Sequence, residues 1–219
     1  MAEANEAWIV AGGWDGHEPF KVADLFAEDL AGTGLAVKIM TNWDAFRDPE
    51  ARKRLGLIVP VWTMGTIGRD ELRGLVDAVS EGVGIGGVHG GMGDAFRNEP
   101  AYQYVVGGQW VAHPGNDGVT YRVRVTRPDH PIMSGIEDFT VVSEKYYMHV
   151  DPAIEVLAVT DFDRVEMPVV WTTRYGTGRV FYCSIGHHAD VIEREPVRTL
   201  VRRGLWWAAG RDPAEADRV

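Results

Sequence analysis

Short apolar runs alternate with amphipathic segments along the first half of the chain. The runs are short enough to predict buried strands, at residues 8–13, 37–39, 57–61 and 82–88. Between them, apolar residues at helical spacing predict helices, at residues 22–30 and 72–79. The polar stretch 41–54 leaves room for one short helix. This alternation of strand and helix predicts a parallel, doubly wound sheet with right-handed crossovers.

The pattern changes in the second half of the chain. Helices are predicted at residues 102–106, ending at 107–110, and at residues 197–205. Alternating apolar and charged residues at 121–125 predict a strand with one face in water, and further apolar runs predict strands at residues 154–160, 169–173 and 180–184. The segment Tyr175-Gly176-Thr177-Gly178 is typical of a hairpin turn between the last two strands. The tail from Arg211 is expected to fray.

Composition narrows the class of protein. The 219 residues are 45 % apolar and carry a formal net charge of −10, with no basic stretch to offset it. That balance argues against a nucleic-acid or anionic-membrane partner. A solvated helical face is expected from arginines at helical spacing, at Arg194, Arg198, Arg202 and Arg203. A chain of this length and composition is expected to form one domain over residues 1–219, with its core at about 8–210.

Two features bear on the cellular compartment. No apolar run reaches the length of a membrane span, and residues 1–7 are acidic and polar, unlike a secretory signal. Cys183 is the single cysteine of the chain, so no internal disulfide can form. The reducing cytoplasm is therefore the expected compartment.

Residues 82–93 form a glycine-rich stretch that interrupts an apolar run with a histidine. The run becomes polar at His89, which is followed by Gly90, Gly91 and Gly93. Because glycine adopts positive φ at low cost, we expect the chain to turn on these glycines and hold His89 at the carboxyl edge of the sheet. The missing side chain at Gly90 is expected to leave space for a ligand, and that edge is where ligands bind in open α/β sheets.

Other polar side chains share this position in the predicted sheet. The residues that follow predicted strands include His17, Trp62, Thr63, His89, His187 and His188. If those strands are parallel, their ends meet at one edge, where histidines can carry protons or ligate metals. Glu144 is the expected carboxylate partner, as a general acid/base or as the group that orients a histidine. His113 and His130 precede prolines and are interpreted as turn residues.

Aromatic residues flank the same edge. Flat rings beside polar groups suit a sugar, whose C–H faces stack while its hydroxyls form hydrogen bonds, and the rings in the flanking segments are Trp14, Trp62, Tyr146 and Tyr147. Ordinary aromatic packing is the alternative interpretation.

Several segments in a fixed order resemble one known family. The matching segments are Gly86-Gly87-Val88-His89-Gly90-Gly91, residues 104–114, His130-Pro131-Ile132, Glu144 with Tyr146-Tyr147, and 178–187. Together they resemble the ThuA-like, or trehalose-utilisation, proteins of the class I glutamine amidotransferase-like superfamily, over residues 8–210. The resemblance implies a flavodoxin-like three-layer α/β sandwich, with a mostly parallel sheet, helices on both faces and an added antiparallel portion. It also implies trehalose-type sugars and their 3-keto forms as substrates.

One departure from the wider superfamily bears on chemistry. Amidotransferases of this fold carry a nucleophilic cysteine at the sharp turn that His89 occupies here, whereas a late histidine corresponds to His187. Cys183 lies within a predicted strand, where a small buried thiol is more typical than a reactive thiolate. Glutamine hydrolysis through a thioester is therefore disfavoured.

The sequence supports three functional hypotheses. The first is an enzyme acting on a small carbohydrate such as a disaccharide or its 3-keto derivative. Its acid/base pair is His89 and His187 and its assisting carboxylate is Glu144, with substrate contacts from His17, Trp62, Thr63, Gly90, Tyr146, Tyr147 and His188. The second is a sugar-binding or regulatory module without turnover.

The third hypothesis is a metal-dependent hydrolase. A divalent metal such as zinc could take its three ligands from His17, His89, His187 or His188, and Glu144, with His17, His89 and His187 as the first candidates, although no spaced motif such as His-Glu-x-x-His supports it. No other cofactor is implied, and assembly into a homo-oligomer is left open by the sequence.

Overall fold

The computed structural model describes residues 5–218. Its strands, in chain order, are β1 (Glu6–Gly13), β2 (Ala36–Met40), β3 (Leu55–Thr63), β4 (Gly84–Val88), β5 (Gly108–Ala112), β6 (Val119–Val125), β7 (Phe139–Ser143), β8 (Tyr147–Val150), β9 (Glu155–Phe162), β10 (Val165–Tyr175) and β11 (Gly178–Cys183). Its α-helices are α1 (Pro19–Asp29), α2 (Pro49–Arg52), α3 (Arg69–Ser80), α4 (His89–Gly93), α5 (Pro100–Val106), α6 (Ala189–Ile192) and α7 (Val197–Ala208). Short 3₁₀ turns lie at Asp15–His17, Asp44–Arg47, Pro131–Met133 and Pro213–Arg218.

A nine-stranded sheet in the order β2-β1-β3-β4-β11-β10-β9-β6-β7 forms the centre of the fold. The first five of these strands are parallel, and their order is that of a doubly wound flavodoxin-like sheet. The last four continue the sheet in antiparallel pairs. The predicted fold class is confirmed, including the antiparallel addition in the second half of the chain.

Helices cover both faces of the sheet, because its central parallel strands β1, β3, β4 and β11 are buried on both sides. On one face α1 and α7 pack Phe26 and Leu205 into a core with alternate residues of the central strands. On the other face α3 and α5 contribute Leu75 and Tyr102 to a second core around Trp171. Packing on both faces fixes the positions of the central strands, and therefore also of the side chains at the ends of these strands.

The junction between the two halves of the sheet sets where the late histidine lies. Strand β11 returns from β10 through the predicted hairpin, which pairs Tyr175 with Gly178. It then lies parallel to β4, with Cys183 opposite Val88. As a result β4 and β11 end side by side, although almost a hundred residues separate them.

A two-stranded ribbon, β5 with β8, was not expected from the sequence. The segment predicted only to end a helix, residues 107–110, instead turns at Gly107 (φ 79°) and becomes β5. Its partner β8 includes Tyr147, which the sequence placed in a loop. Trp62 and Thr63 likewise are the last residues of β3 and not part of the loop beyond it. Strands β5 and β8 are too short to show a hydrophobic periodicity, and they form because two segments far apart in the sequence pair with each other.

Two expectations about charged surface and tail were wrong. Residues 212–218 do not fray: Ala216 is fully buried in the core beneath α7. Arg194 is exposed, as expected, but the arginines of α7 are half-buried, because Arg203 pairs with Asp217 at 3.0 and 2.6 Å and Arg198 contacts Asp29 at 3.2 Å. These ion pairs hold the arginine side chains of α7 against the protein surface. Among residues 5–218, no helix combines the length and apolarity needed to cross a bilayer.

Placing a charge in the packed tail tests this arrangement. Ala216→Asp puts a carboxylate into a fully buried position and should lower the free energy of unfolding by about 3 kcal/mol. Ala214→Asp is the matched control, because Ala214 is exposed in the same turn. Urea denaturation of both variants measures the difference, and equal stabilities would show that the tail is frayed after all.

Candidate functional site

The polypeptide turns sharply between β4 and α4, and the strain lies on the histidine. His89 has φ 46°, in the left-handed region, whereas Gly90, Gly91 and Gly93 do not adopt positive φ. The expectation that the glycines make the turn was therefore wrong. A left-handed non-glycine residue at a strand–helix turn projects its side chain from the edge of the sheet.

The glycines of α4 serve close packing instead. A Cβ atom on Gly90 would lie 2.5 Å from Cε1 of His17, and one on Gly91 would lie 3.2 Å from Cα of Val61. A side chain on Gly93 would collide with the hydroxyl of Tyr182. The space that glycine leaves at residue 90 is thus occupied by His17 and not by a cavity for a ligand.

His89 is held on every side. Its Nδ1 lies 2.8 Å from the backbone oxygen of Ser184, and its Nε2 lies 3.1 Å from Oε2 of Glu144. The ring of Tyr146 stacks on it with centroids 3.9 Å apart, and the hydroxyl of Tyr182 donates to its backbone oxygen at 3.0 Å. With 1 % of its surface exposed, this imidazole has one fixed orientation.

Two further imidazoles face His89 from neighbouring strand ends. His17 follows β1, and its Nδ1 lies 2.7 Å from the hydroxyl of Thr63. Its ring centroid is 4.8 Å from that of His89 and 5.0 Å from that of His187. His187 follows β11, and its Nδ1 has no hydrogen-bond partner among residues 5–218 although it is buried.

Glu144 completes the group from the antiparallel half of the sheet. It follows β7, and its backbone oxygen accepts a hydrogen bond from the hydroxyl of Tyr121 at 3.2 Å. Its Oε2 lies between the rings, 3.1 Å from Nε2 of His89 and 3.4 Å from Nδ1 of His187. We call His17, His89, Glu144 and His187 the buried cluster.

Burial and mutual contact set the protonation of the buried cluster. Burial, reinforced by the neighbouring imidazoles, lowers the pKa of His17 to about 3. Burial also lowers the pKa of His89, despite its bond to Glu144. Burial alone would raise the pKa of Glu144, but its contacts with His187 and His89 outweigh burial and hold that pKa far below the usual range. The same carboxylate raises the pKa of His187 against the effect of burial.

The structure brings most of the predicted site residues together. His17, Thr63, His89, Gly90, Glu144, Tyr146 and His187 all lie in or against the buried cluster. His188 lies beside it, with its ring 3.9 Å from that of His187. Trp14 contacts His17 edge-on at 4.7 Å and is 46 % exposed. These two residues form part of the rim through which a ligand would approach.

Two predicted substrate contacts lie elsewhere. Tyr147 is directed away from the buried cluster, because residues alternate along β8, and its ring packs against those of Phe162 and His149. Trp62 packs edge-on against Trp43 at 6.1 Å and fills the space beside Gly12. Trp62 is half-buried at the end of β3, beside Thr63 in the sequence but outside the buried cluster.

His113 is a site residue that the sequence did not indicate. It does lie in a turn, as expected, since its backbone oxygen accepts from the amide of Asn116. Its Nδ1, however, lies 3.6 Å from Oε1 of Glu144, and its ring is next to those of Trp110 and Tyr146. The β5–β8 pairing carries it there, and no local pattern reveals that pairing. His130 is a turn residue, as expected: its Nδ1 accepts from the amide of Ile132.

Cys183 has none of the features of a nucleophile. It is fully buried in β11, and burial raises the pKa of its thiol to about 12. A thiol of that kind stays protonated and inert at neutral pH.

Comparison with known proteins gives the family. The profile of the trehalose-utilisation family, ThuA, matches residues 6–208. The chain belongs to the ThuA family. No curated protein matches it. Solved ThuA-like proteins from Parabacteroides merdae and Bacteroides uniformis are similar in fold, with TM-scores of 0.78 and 0.77 at 16 % identity. The alignments cover 96 % and 97 % of this chain and 92 % and 96 % of those chains.

A larger protein also contains this fold. A β-galactosidase from Bacillus circulans aligns with 96 % of this chain at a TM-score of 0.61 and 14 % identity. Only 32 % of the β-galactosidase is covered, so the likeness concerns one part of it and shows the fold alone.

The donor atoms of this ThuA-family chain come close enough to share one ion. One donor atom from each of His17, His89, Glu144 and His187 lies within 4.8 Å of all the others, and all four residues are buried. A second group, Asp117 with His187 and His188, meets the same distance but includes an exposed carboxylate. The buried cluster can therefore either move protons among its members or hold a cation.

Strain at His89 can be measured without reference to activity. His89→Gly and His89→Ala both remove the imidazole, but only glycine adopts φ 46° without strain. The glycine variant should be the more stable by about 1 kcal/mol in urea denaturation.

The control is Ala101→Gly, at an exposed helical position of α5. There the order should reverse, with glycine the less stable by about 0.5–1 kcal/mol. An alanine variant at residue 89 that matches or exceeds the glycine variant would show that the turn is unstrained.

Proposed function

We propose that this protein is an enzyme that acts on a small carbohydrate, a disaccharide or its 3-keto derivative, with its reaction centre at the buried cluster. One observation carries the proposal: a buried carboxylate, Glu144, lies within 3.1 and 3.4 Å of two imidazoles at the carboxyl edge of a parallel sheet. Carboxylate–imidazole groups of this kind are typical of enzymes that move protons. Membership of the trehalose-utilisation family supports a sugar as substrate.

The surroundings of the buried cluster suit a sugar. Trp14 presents an exposed indole face beside His17, and half-buried Trp110 and His113 border Glu144 on the other side. Aromatic faces stack on the C–H faces of pyranose rings, and polar groups beside them form hydrogen bonds with the sugar hydroxyls. A cavity of about 100 Å³ lined by Asp94, Arg97 and Trp110 adjoins this side. Its lining is polar, with Arg97 paired to Asp94 and stacked over the ring of Trp110 at 4.5 Å, and suits a hydroxyl-bearing group.

Roles follow from exposure and orientation. Substrate reaches the buried cluster from the side of His187 and His113, the latter with 30 % of its side chain exposed. Glu144 and His187 are thus the groups that exchange a proton with substrate, at a carbon next to a carbonyl or at a leaving oxygen. His89, at 1 % exposure, acts through Glu144 as a positioning residue. This narrows the sequence-based hypothesis, in which His89 was half of an acid/base pair.

The decisive variant is Glu144→Gln, which keeps the shape of the side chain and removes its charge. Turnover should fall by about 10²-fold or more, because the proton-transfer partner is lost, while the fold is retained. A thermal-shift screen of disaccharides and 3-keto sugars identifies the sugars that bind, and product analysis then shows which of them are converted. Glu137→Gln, at an exposed glutamate outside the site, is the matched control and should keep full turnover.

Full turnover by Glu144→Gln would contradict the assignment of the reaction centre. Sugars that stabilise the wild-type protein but are never converted would replace the proposal with its alternative, a sugar-binding or regulatory module.

A further inference from the structure

The protons of His89 can be assigned from its contacts. Nδ1 faces the backbone oxygen of Ser184 at 2.8 Å, and a carbonyl oxygen only accepts, so Nδ1 carries a proton. In the neutral ring Nε2 then presents a lone pair. That lone pair faces an oxygen of Glu144 at 3.1 Å, which is also an acceptor. Two acceptors at this distance require something positive between them.

The other members of the buried cluster face the same point. Nδ1 of His187 lies 3.4 Å from the same oxygen of Glu144 and has no hydrogen-bond partner among the described residues. Nδ1 of His17 is hydrogen-bonded to the hydroxyl of Thr63, which leaves Nε2 for a further partner. The centroid of the His17 ring lies within 5.0 Å of those of His89 and His187. Lone pairs from three rings and a carboxylate therefore meet in one small volume.

Protons alone satisfy this arrangement poorly. Bridging both rings to Glu144 with protons makes His89 an imidazolium, because its Nδ1 is already protonated, and directs Nδ1–H of a neutral His187 at the same oxygen, in a region where each of these residues is less than 9 % exposed. An imidazolium–carboxylate pair is costly to desolvate in such a buried region. A single divalent cation meets every lone pair at once and needs no extra proton.

The distances agree with metal coordination. For metal–nitrogen bonds of about 2.0–2.1 Å, the donor atoms of a tetrahedral site lie about 3.3 Å apart. The two donor pairs that contact Glu144 are 3.1 and 3.4 Å apart. Metal-binding histidines also usually donate their other ring N–H to a carbonyl or carboxylate, as His89 does to Ser184.

We infer that His17, His89, His187 and Glu144 bind a divalent transition-metal cation of the zinc class. Three imidazoles and one carboxylate favour such a cation over magnesium or calcium, which prefer oxygen ligands. The inference deepens the proposed function and rests on it only in placing the reaction at this site. With the cation bound, Glu144 and His187 would be ligands in place of the proton-exchange roles given above, the cation would supply a Lewis acid, and His113 would remain beside Glu144 as an imidazole outside the ligand set.

Metal content tests the inference directly. The protein is expressed without a histidine tag, purified without chelators and analysed by mass spectrometry for metals, where about one equivalent per chain is expected. The chelator-treated protein is then titrated with Co²⁺, whose visible absorption reports tetrahedral coordination. Glu144→Gln and His187→Gln should each weaken Co²⁺ binding by about 100-fold or more. His149→Ala, at an exposed histidine outside the site, should bind as wild type does.

The two proposals fail in different ways. Folded wild-type protein that holds less than about a tenth of an equivalent of any metal, and gives no Co²⁺ spectrum, overturns the inference even if sugars are converted. Stoichiometric metal without conversion of any sugar supports the inference and counts against the proposed function. Undiminished Co²⁺ binding by both ligand variants also overturns it, since the cation would then lie elsewhere.

Discussion

The contact between His89 and the backbone of Ser184 holds the candidate site together. It joins the end of β4 to the end of β11, the two strands at which the parallel and antiparallel halves of the sheet meet. It also fixes which ring nitrogen carries the proton, and so directs the other nitrogen toward Glu144. The left-handed backbone of His89 is tolerated because Tyr146, Tyr182 and the packing of α4 hold it in place.

The parallel sheet explains why the histidines could be predicted from the sequence. His17, His89 and His187 each follow an apolar run within a few residues, and the carboxyl ends of parallel strands share one edge, so a flavodoxin-like strand order places the three histidines at the same edge. Glu144 was predicted as their carboxylate partner, and it also belongs to one of the segments that resemble the family. Local periodicity and one topological rule were therefore sufficient for the three histidines of the buried cluster.

Features that depend on long-range pairing were not predictable in this way. His113 reaches Glu144 only because β5 pairs with β8, and neither strand has a recognisable pattern of its own. Tyr147 was predicted to contact substrate together with Tyr146, but strand alternation directs its side chain to the opposite side. The tail is ordered by ion pairs with α7 that no periodicity reveals. The positive φ of the turn was predicted at the glycines, whereas His89 adopts it, because composition does not show which residue of a turn takes positive φ.

The protonation of His89 is the point on which the account of the site depends. Ring ¹⁵N chemical shifts and long-range ¹H–¹⁵N correlations of the folded protein at neutral pH report it directly. The account predicts that Nδ1 of His89 carries a proton, because that nitrogen faces the carbonyl of Ser184. A neutral ring with its proton on Nε2 and a bare Nδ1 would contradict the account.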